Sequence, residues 1–498
     1  MDGFTIALAS DRIARLPADY LSLTIDTSLV LGGHWWSSIR GTREGLALEK
    51  VEPINLRSPQ LSAYARLLAP AMLRIGGTEA DRVGYRIAKK GRKGEQASKA
   101  EPEATPDREL ILKKKLWKRI NAFAQEAGFG ILFVVSTGPL DRDRSGSWMA
   151  CNARKLIEYT VRKGFPVLAW ELGNEVNGYL FTQGFRNRVS AARYVEDFGV
   201  FSRLVRELHP GSLAVGPASS VWPVIGEPNP IIPALGKSLS MAQSDVISWH
   251  YYPQQSSRGM LANRRASERM LLDPRRLDSV RKLSRAIAKA ARGRQVWMTE
   301  SGHALYGGEK GLSDTYLSSL WWLDELGLLA REGVSRVFRQ SLVGADYGLL
   351  DQSTFAPRPD YYASFLWKKL MGRVVFAGPS VEGPDRRIRA YYHSSAKKQG
   401  SGCLLVVSLR NSPSRIFLPA PIIERYVVEP LDGLRSTRMM LNGVILDEDL
   451  LFKWGKKKTC RKYRISEPAY GDRDGAAVST TFELPSYSYA FLILHTGL

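Results

Sequence analysis

Two carboxylates stand out in this chain by type and by setting. Glu175 closes the run Trp170-Glu171-Leu172-Gly173-Asn174-Glu175, and 125 residues later Glu300 closes Val296-Trp297-Met298-Thr299-Glu300. Each follows a hydrophobic, strand-like stretch. Two carboxyl groups at the ends of separate strands are what cleavage of a glycosidic bond requires: one protonates the leaving oxygen, the other attacks or activates water. Asn174, next to the first, brings an amide able to hydrogen-bond a sugar hydroxyl. In a retaining mechanism the two carboxyls stand about 5–5.5 Å apart.

Elements must exist to hold such a pair. Short apolar runs followed by helical periodicity give eight strands in the first 345 residues. They are Tyr20–Asp26, Met72–Gly76, Gly130–Ser136, Pro166–Glu171, Leu213–Gly216, Val246–Tyr251, Gln295–Thr299 and Val334–Leu342. Amphipathic stretches at Leu116–Glu126, Ala191–Leu208, Val280–Ala291 and Asp314–Glu332 lie between them. Eight strand–helix units predict a (β/α)₈ TIM barrel, whose active site sits at the C-terminal ends of the strands. An open doubly wound sheet would want a phosphate-binding glycine turn after its first strand, and there is none. Asp26, Gly76-Gly77-Thr78, Asn174-Glu175, His250-Tyr251-Tyr252, Glu300 and Gln340 all fall at predicted strand ends.

Beyond about Val374 the pattern changes to short strands and Pro/Gly/Asn turns, as in Leu404–Ser408, Arg425–Val428 and Tyr487–Leu494. This predicts a C-terminal antiparallel β-sandwich that also takes up the N-terminal strand Phe4–Leu8. The expected division is a barrel over 18–370 and a sandwich built from 1–17 plus 371–498.

Composition narrows the partners. Lys+Arg outnumber Asp+Glu by 71 to 49, a net charge of +22. Such a field attracts polyanions. No helix-turn-helix, zinc finger or RNA-binding aromatic motif accompanies it, so nucleic acid lacks a reading element. Residues 86–119 hold 12 basic and 5 acidic side chains, which equally suits a solvated loop and helix face. No apolar run reaches the roughly 18 residues of a membrane span. Met1-Asp2-Gly3-Phe4 does not read as a signal peptide, which leaves localisation open between an intracellular protein and a trimmed one. Cys151, Cys403 and Cys460 have no metal-ligand spacing; three buried free thiols are expected, with a Cys403–Cys460 pair as the alternative. A monomer is expected.

The chain resembles the heparanase-type enzymes of glycoside hydrolase family 79 from Tyr20 to about Gly378. The runs that carry the resemblance are Leu21–Asp26 (LSLTID), Leu73–Thr78 (LRIGGT), Trp170–Glu175 (WELGNE), Trp249–Tyr252 (WHYY), Gly311–Gly333 and Arg358–Gly372. WELGNE is shared by a wider clan of retaining barrel glycosidases, whereas the last two blocks are far more specific. The resemblance implies a retaining β-D-glucuronidase without metal or organic cofactor, with Glu175 as acid/base and Glu300 as nucleophile. It further implies that Asp26 and Asn174 bind sugar hydroxyls and that Tyr347 with the backbone amides of Gly307 and Gly308 holds the uronate carboxylate. Thr78, His250, Tyr252 and Gln340 match other pocket positions. The segment after Glu300 is one residue longer than in animal members. The insertion Lys89–Pro106 is far shorter than the segment animal members excise, which implies a bacterial-type, single-chain enzyme. His34-Trp35-Trp36 is similar to plant members.

Simpler roles stand beside these. Asp26 also suits a helix cap. His250 suits a supporting bond to Glu300 better than proton transfer, and Tyr347 suits a buried core tyrosine. Trp35 and Trp36 suit either a sugar platform or a cover over the barrel mouth. Arg142, Arg144 and Arg258 lie in loops on the predicted site face. Three functions follow: endo cleavage within heparan sulfate, exo release of terminal glucuronic acid, and non-catalytic binding of a polyanion. The intact carboxylate pair argues against the third, and the basic charge favours the first.

Overall fold

The computed structural model describes residues 1–36, 48–87, 108–223, 226–238, 243–259, 265–463 and 480–495. The predicted insertion at 88–107, with most of the basic run, lies outside them. Eight parallel strands close into a barrel: Leu21–Asp26, Ala71–Gly76, Phe129–Val135, Val167–Leu172, Leu213–Val221, Val246–Tyr251, Gln295–Ser301 and Arg336–Arg339. Each coincides with a predicted strand. The fifth runs on to Val221 because its pairing shifts between Gly216 and Ser219 and then resumes. The eighth is shorter than expected. Val334 is still bonded to Leu329 at the end of the preceding helix, and Leu342 has already turned aside to bond Thr24.

Alternation along the strands stacks the barrel interior in layers. Met72, Leu132, Ala169, Val215, Val246, Trp297 and Phe338 pack together as a dry floor. Two residues further along three of those strands stand Arg74, Glu171 and Thr299, which bond to one another. The floor excludes water beneath them. The functional layer is therefore polar, buried and built on rigid strands.

The C-terminal part is a β-sandwich of two sheets. The larger has eight strands, and Arg12–Arg15 forms its edge against Met371–Phe376. The smaller has four, and Asp2–Ala7 lies between Ser380–Glu382 and Ser414–Leu418. The N-terminal strand thus joins the sandwich as expected, but it runs parallel to Ser414–Leu418 within an otherwise antiparallel architecture. Helix Tyr316–Arg331 is buried from Tyr316 to Ala330. It is buried all round because the barrel covers one side and the sandwich the other, and its polar residues Ser318, Ser319, Asp324 and Glu325 each have a bonding partner. Gly327 lets the sandwich sheet approach this helix, since a Cβ there would stand 2.2 Å from the Tyr391 ring. Among the described residues no helix is long and apolar enough to cross a membrane. All three cysteines are free thiols; Cys403 is buried, Cys460 partly so, and Cys151 is exposed rather than buried.

Candidate active site

Strand four ends at Leu172, and the chain then turns through Gly173 (φ 73°) into Glu175, itself left-handed at φ 50°. A non-glycine residue in that region costs of order 1–3 kcal/mol and persists only where its surroundings enforce it. Here they do. The Glu175 amide donates to the Ala218 carbonyl (3.0 Å) and its carbonyl accepts from Gly178 (2.7 Å). One residue earlier, the Asn174 amide donates to Asp81 Oδ2 (2.9 Å), whose other oxygen accepts from the Thr137 amide. Burial pushes the Asp81 carboxyl up to about 6 against these bonds. The outcome is a Glu175 side chain only 17% exposed, aimed across the barrel mouth.

Glu300 reaches the same mouth from strand seven. Trp249 pairs with Met298, yet His250 pairs with Glu300, so one extra residue is accommodated between them. A bulge of this kind re-aims a side chain. Thr299 keeps its hydroxyl on Glu171 (3.0 Å), and Glu300 accepts from Tyr252 (2.5 Å) and from Arg74 Nη1 (2.9 Å). Burial pushes the Glu300 carboxyl up, but the opposing charges of His250 and Arg74 and the Tyr252 bond outweigh it, so it lies below its ordinary value. Glu300 is thereby held in its ionised form.

Glu175 and Glu300 carboxylate oxygens and a His250 ring nitrogen lie within 4.8 Å of one another. His250 was expected to steady Glu300. Its Nδ1 is instead 3.0 Å from Glu175 and 3.9 Å from Glu300, so its bond goes to the other carboxylate. This trio is, among the described residues, the one cluster with spacing a cation could use. Arg74, with its charge already on Glu300, opposes a second cation there.

Arg74 was not anticipated, nor was its partner Glu171. The guanidinium is fully buried and reaches three acceptors: Glu171 (2.6 Å), Glu300 (2.9 Å) and Asn174 Oδ1 (2.9 Å). Asn174 is thus fixed from both sides, by its amide on Asp81 and its side-chain oxygen on Arg74. Gly76 leaves room for this fork, since a Cβ would stand 2.8 Å from the guanidinium carbon. An arginine inside the apolar run Leu73-Arg74-Ile75 was the available signal, because a buried charge must have a partner.

The remaining expected residues divide. Asp26 caps helix Thr27–Leu31 through Ser28 (2.9 Å) and also leans on the site, its Oδ2 being 2.0 Å from where a Gly77 Cβ would stand. Burial pushes its carboxyl up to about 8, with Glu300 adding to the shift. Tyr347 is 2% exposed, with its ring 6.3 Å from Tyr252 and 6.5 Å from Trp35. Gln340 accepts from the Thr24 hydroxyl and bonds Tyr347. Trp35 is buried and forms wall rather than open platform; the side chain of Trp36 lies outside the described residues. Thr78 opens a 3₁₀ turn at the rim, half-buried, with no bond to the carboxylate pair among the described residues. The pair of glycine amides needs correction. Gly308 donates to the Ala304 carbonyl (3.1 Å), whereas the Gly307 amide has no acceptor among the described residues. Arg258 braces the same loop, donating to the Gly308 carbonyl (2.7 Å) and pairing with Asp346 (2.8 Å). Arg142 pairs with buried Asp197 (2.7 Å).

A closed (β/α)₈ barrel with this carboxylate pair at its mouth defines a glycoside hydrolase. Solved structures share the whole architecture: a 4-O-α-L-rhamnosyl-β-D-glucuronidase from Fusarium oxysporum superposes with a TM-score of 0.64 at 15% identity, covering 98% of this chain and 99% of its own. Sequence relatives are nearer. Mouse heparanase is 30% identical over 96% of this chain and 90% of its own length, and bovine heparanase 31% identical over 89% and 85%. The family model described as glycosyl hydrolase family 79, N-terminal domain, matches residues 12–327, and the chain belongs to that family.

Proposed function

We propose that this chain is a retaining endo-β-glucuronidase whose substrate is an acidic polysaccharide of the heparan sulfate type. The observation that carries the mechanism is the carboxylate separation. Oxygens within 4.8 Å leave no room for the water an inverting enzyme places between substrate and base, for which about 6.5–9.5 Å is needed. Glu300, ionised and steadied by Tyr252 and Arg74, attacks the anomeric carbon. Glu175 gives its proton to the leaving oxygen and afterwards takes one from the incoming water. The Arg74 fork holds Asn174 and Glu300 in one frame, so the sugar hydroxyl contact and the attacking oxygen keep a fixed relation. Preference for a uronate rests on Tyr347 and the Gly307 amide, two neutral donors on one wall. The heparanase relatives and the +22 charge support a long sulfated chain as substrate.

The test is a comparison of substrates. An aryl β-glucuronide should be hydrolysed, the matching β-glucoside far less, and heparan sulfate should be cut to internal fragments. Tyr347→Phe should lower kcat/KM on the glucuronide about tenfold, since a bond to a charged acceptor is worth about 1.5–3 kcal/mol, and hardly alter the glucoside rate. Release of terminal glucuronic acid without a fall in chain length would make the enzyme exo-acting. Equal loss on both aryl substrates would remove Tyr347 from carboxylate binding.

A further inference from the structure

A recess of about 420 Å³ lies at the other end of the barrel, within the roughly 300–1,000 Å³ usual for ligand clefts. Tyr20 and Leu21, where strand one begins, line it, as does Pro70, just before strand two. Those strands end at Asp26 and Gly76, so the length of a six-residue strand, roughly 17 Å, separates the recess from the barrel mouth. Three parts of the chain meet there: the N-terminal lead-in to the barrel, the last barrel helix Pro359–Leu370, and the sandwich strands Met371–Phe376 and Ile388–Ser395.

Each of the first two parts, and the strand Met371–Phe376, brings a cation to the recess: Arg15, Lys368 and Arg373. Among the described residues no acid lines it, and none of the three cations makes an ion pair. Lys368 Nζ donates only to the Pro70 carbonyl (2.6 Å), and Arg373 gives its Nε to the Leu16 carbonyl (2.8 Å), which leaves its Nη groups open. Arg15 is exposed and has no side-chain bond among the described residues. Burial pushes the Lys368 ammonium down to about 7, and the charge of Asp19, itself paired with Arg336 (3.0 Å), offsets only part of this. Two hydroxyls join the cations. Ser394 Oγ accepts from the Val374 amide (3.2 Å), and Ser395 Oγ from the Lys397 (3.1 Å) and Lys398 (3.0 Å) amides, so both keep a proton to donate. Buried Leu21, Trp367 and Met371 supply apolar wall. A cation in the last turn of a helix complements the helix dipole, which accounts for Lys369, seated over the Phe365 ring at 5.3 Å. It does not account for Arg15 and Arg373, which come from other elements to the same cavity. Like charges gathered without a counter-charge repel, and a bound anion removes that cost.

We propose that this recess binds a tetrahedral oxyanion, the phosphate or sulfate group of a small molecule, through Arg15, Lys368 and Arg373 with the Ser394 and Ser395 hydroxyls. Guanidiniums hold such a group in bidentate fashion, and the ammonium adds a point charge. The occupant touches lead-in, barrel helix and sandwich together, so its binding fastens the two architectures at the end away from catalysis. The site depends on no role given to Glu175 or Glu300.

Calorimetric titration with inorganic phosphate at fixed ionic strength tests it. Arg15→Ala/Lys368→Gln, whose new amide can still reach the Pro70 carbonyl, should weaken binding at least about tenfold, and Arg15→Lys alone should retain most of the affinity. Hydrolysis of an aryl β-glucuronide should stay within about twofold of wild type in both. Inorganic sulfate and phenyl phosphate separate the sources: sulfate bound as well as phosphate admits either ester, and tighter phenyl phosphate places an organic body against the apolar wall. Acetate bound as tightly as phosphate overturns the choice of a tetrahedral group. Unchanged phosphate affinity in the double variant, or equal loss of binding and of hydrolysis, overturns the site. Unfolding gives a readout independent of catalysis, because a ligand held by the folded form alone raises Tm. Phosphate should raise the Tm of wild type, relative to chloride at equal ionic strength, more than that of the double variant, which controls for the general effect of salts. Equal shifts overturn the proposal whether or not the enzyme cleaves a glucuronide.

Discussion

Asp26 shows how one side chain can serve two neighbours. Its Oδ1 caps the helix after strand one, while its Oδ2 faces Gly77 at the barrel mouth. A carboxyl held up to about 8 by burial is protonated at neutral pH and can donate as well as accept. The sign of its pH effect follows. Above pH 8 the proton leaves, and a new negative charge appears beside Glu300, where it repels both the nucleophile and a uronate carboxylate. The kcat/KM for an aryl glucuronide should therefore fall through a limb near pH 8. Asp26→Asn, which keeps the cap and stays neutral, should abolish that limb with only a modest loss at pH 7. A limb unchanged in the variant would assign it elsewhere. Arg74 teaches a different lesson at this scale. Glu175 and Glu300 were legible because each ends a hydrophobic run and each has a partner. Arg74 was not, because its meaning lies in three acceptors on other strands, which no local pattern shows. His250 likewise could be placed at the mouth but not assigned to Glu175 rather than Glu300, because their difference is 0.9 Å.

Among elements, the strand ends carry the precision of the site. All eight barrel strands were readable because each is a short apolar run followed by a helix or turn. Strand offsets were not: the extra residue beside Thr299 and the shift after Gly216 arise from pairing between strands, and they decide which side chains face inward. The parallel seating of Asp2–Ala7 is of the same kind, since direction depends on a partner 412 residues away, Asp2 facing Ser414. Strand two joins strand one through Gly76-Gly77, and here a single methyl group is informative. Gly77 has φ 101°, and a Cβ would stand 2.0 Å from Asp26 Oδ2. Gly77→Ala should therefore destabilise the fold by about 1–3 kcal/mol in denaturant unfolding and displace Asp26, so that activity falls further than stability alone would explain. Wild-type activity in Gly77→Ala would show that the two strand ends are not held in this close contact.

The whole molecule depends on a joint between barrel and sandwich. Asp324, on the helix between the seventh and eighth barrel strands, accepts from Arg389 (2.7 Å) and Tyr391 (2.5 Å) of the sandwich and is 1% exposed. Arg389 also reaches Asp278 (2.9 Å) at the foot of helix Ser279–Ala291. Removing Asp324 leaves buried Arg389 with Asp278 alone, so Asp324→Ala should cost up to about 3–5 kcal/mol, read as a lower unfolding midpoint. A change under about 0.5 kcal/mol, the range of an ordinary surface substitution, would mean that the joint is held by apolar packing alone. The sequence showed two architectures and the meeting of its two ends. It could not show this joint, because Asp324 reads as one more helical acid and Arg389 as one more of 71 cations.

The division of labour between Glu175 and Glu300 is tested most directly by trapping the intermediate. Glu175→Gln still permits attack on an activated aryl β-glucuronide, whose leaving group needs no proton, but it removes the base that releases the sugar. Mass spectrometry of the quenched, digested variant should then find one glucuronyl group on the peptide containing Glu300. Azide should release it as the β-glucuronyl azide. An adduct on any other residue, or no adduct together with a first-formed product of inverted configuration, would contradict the retaining mechanism and the role given to Glu300.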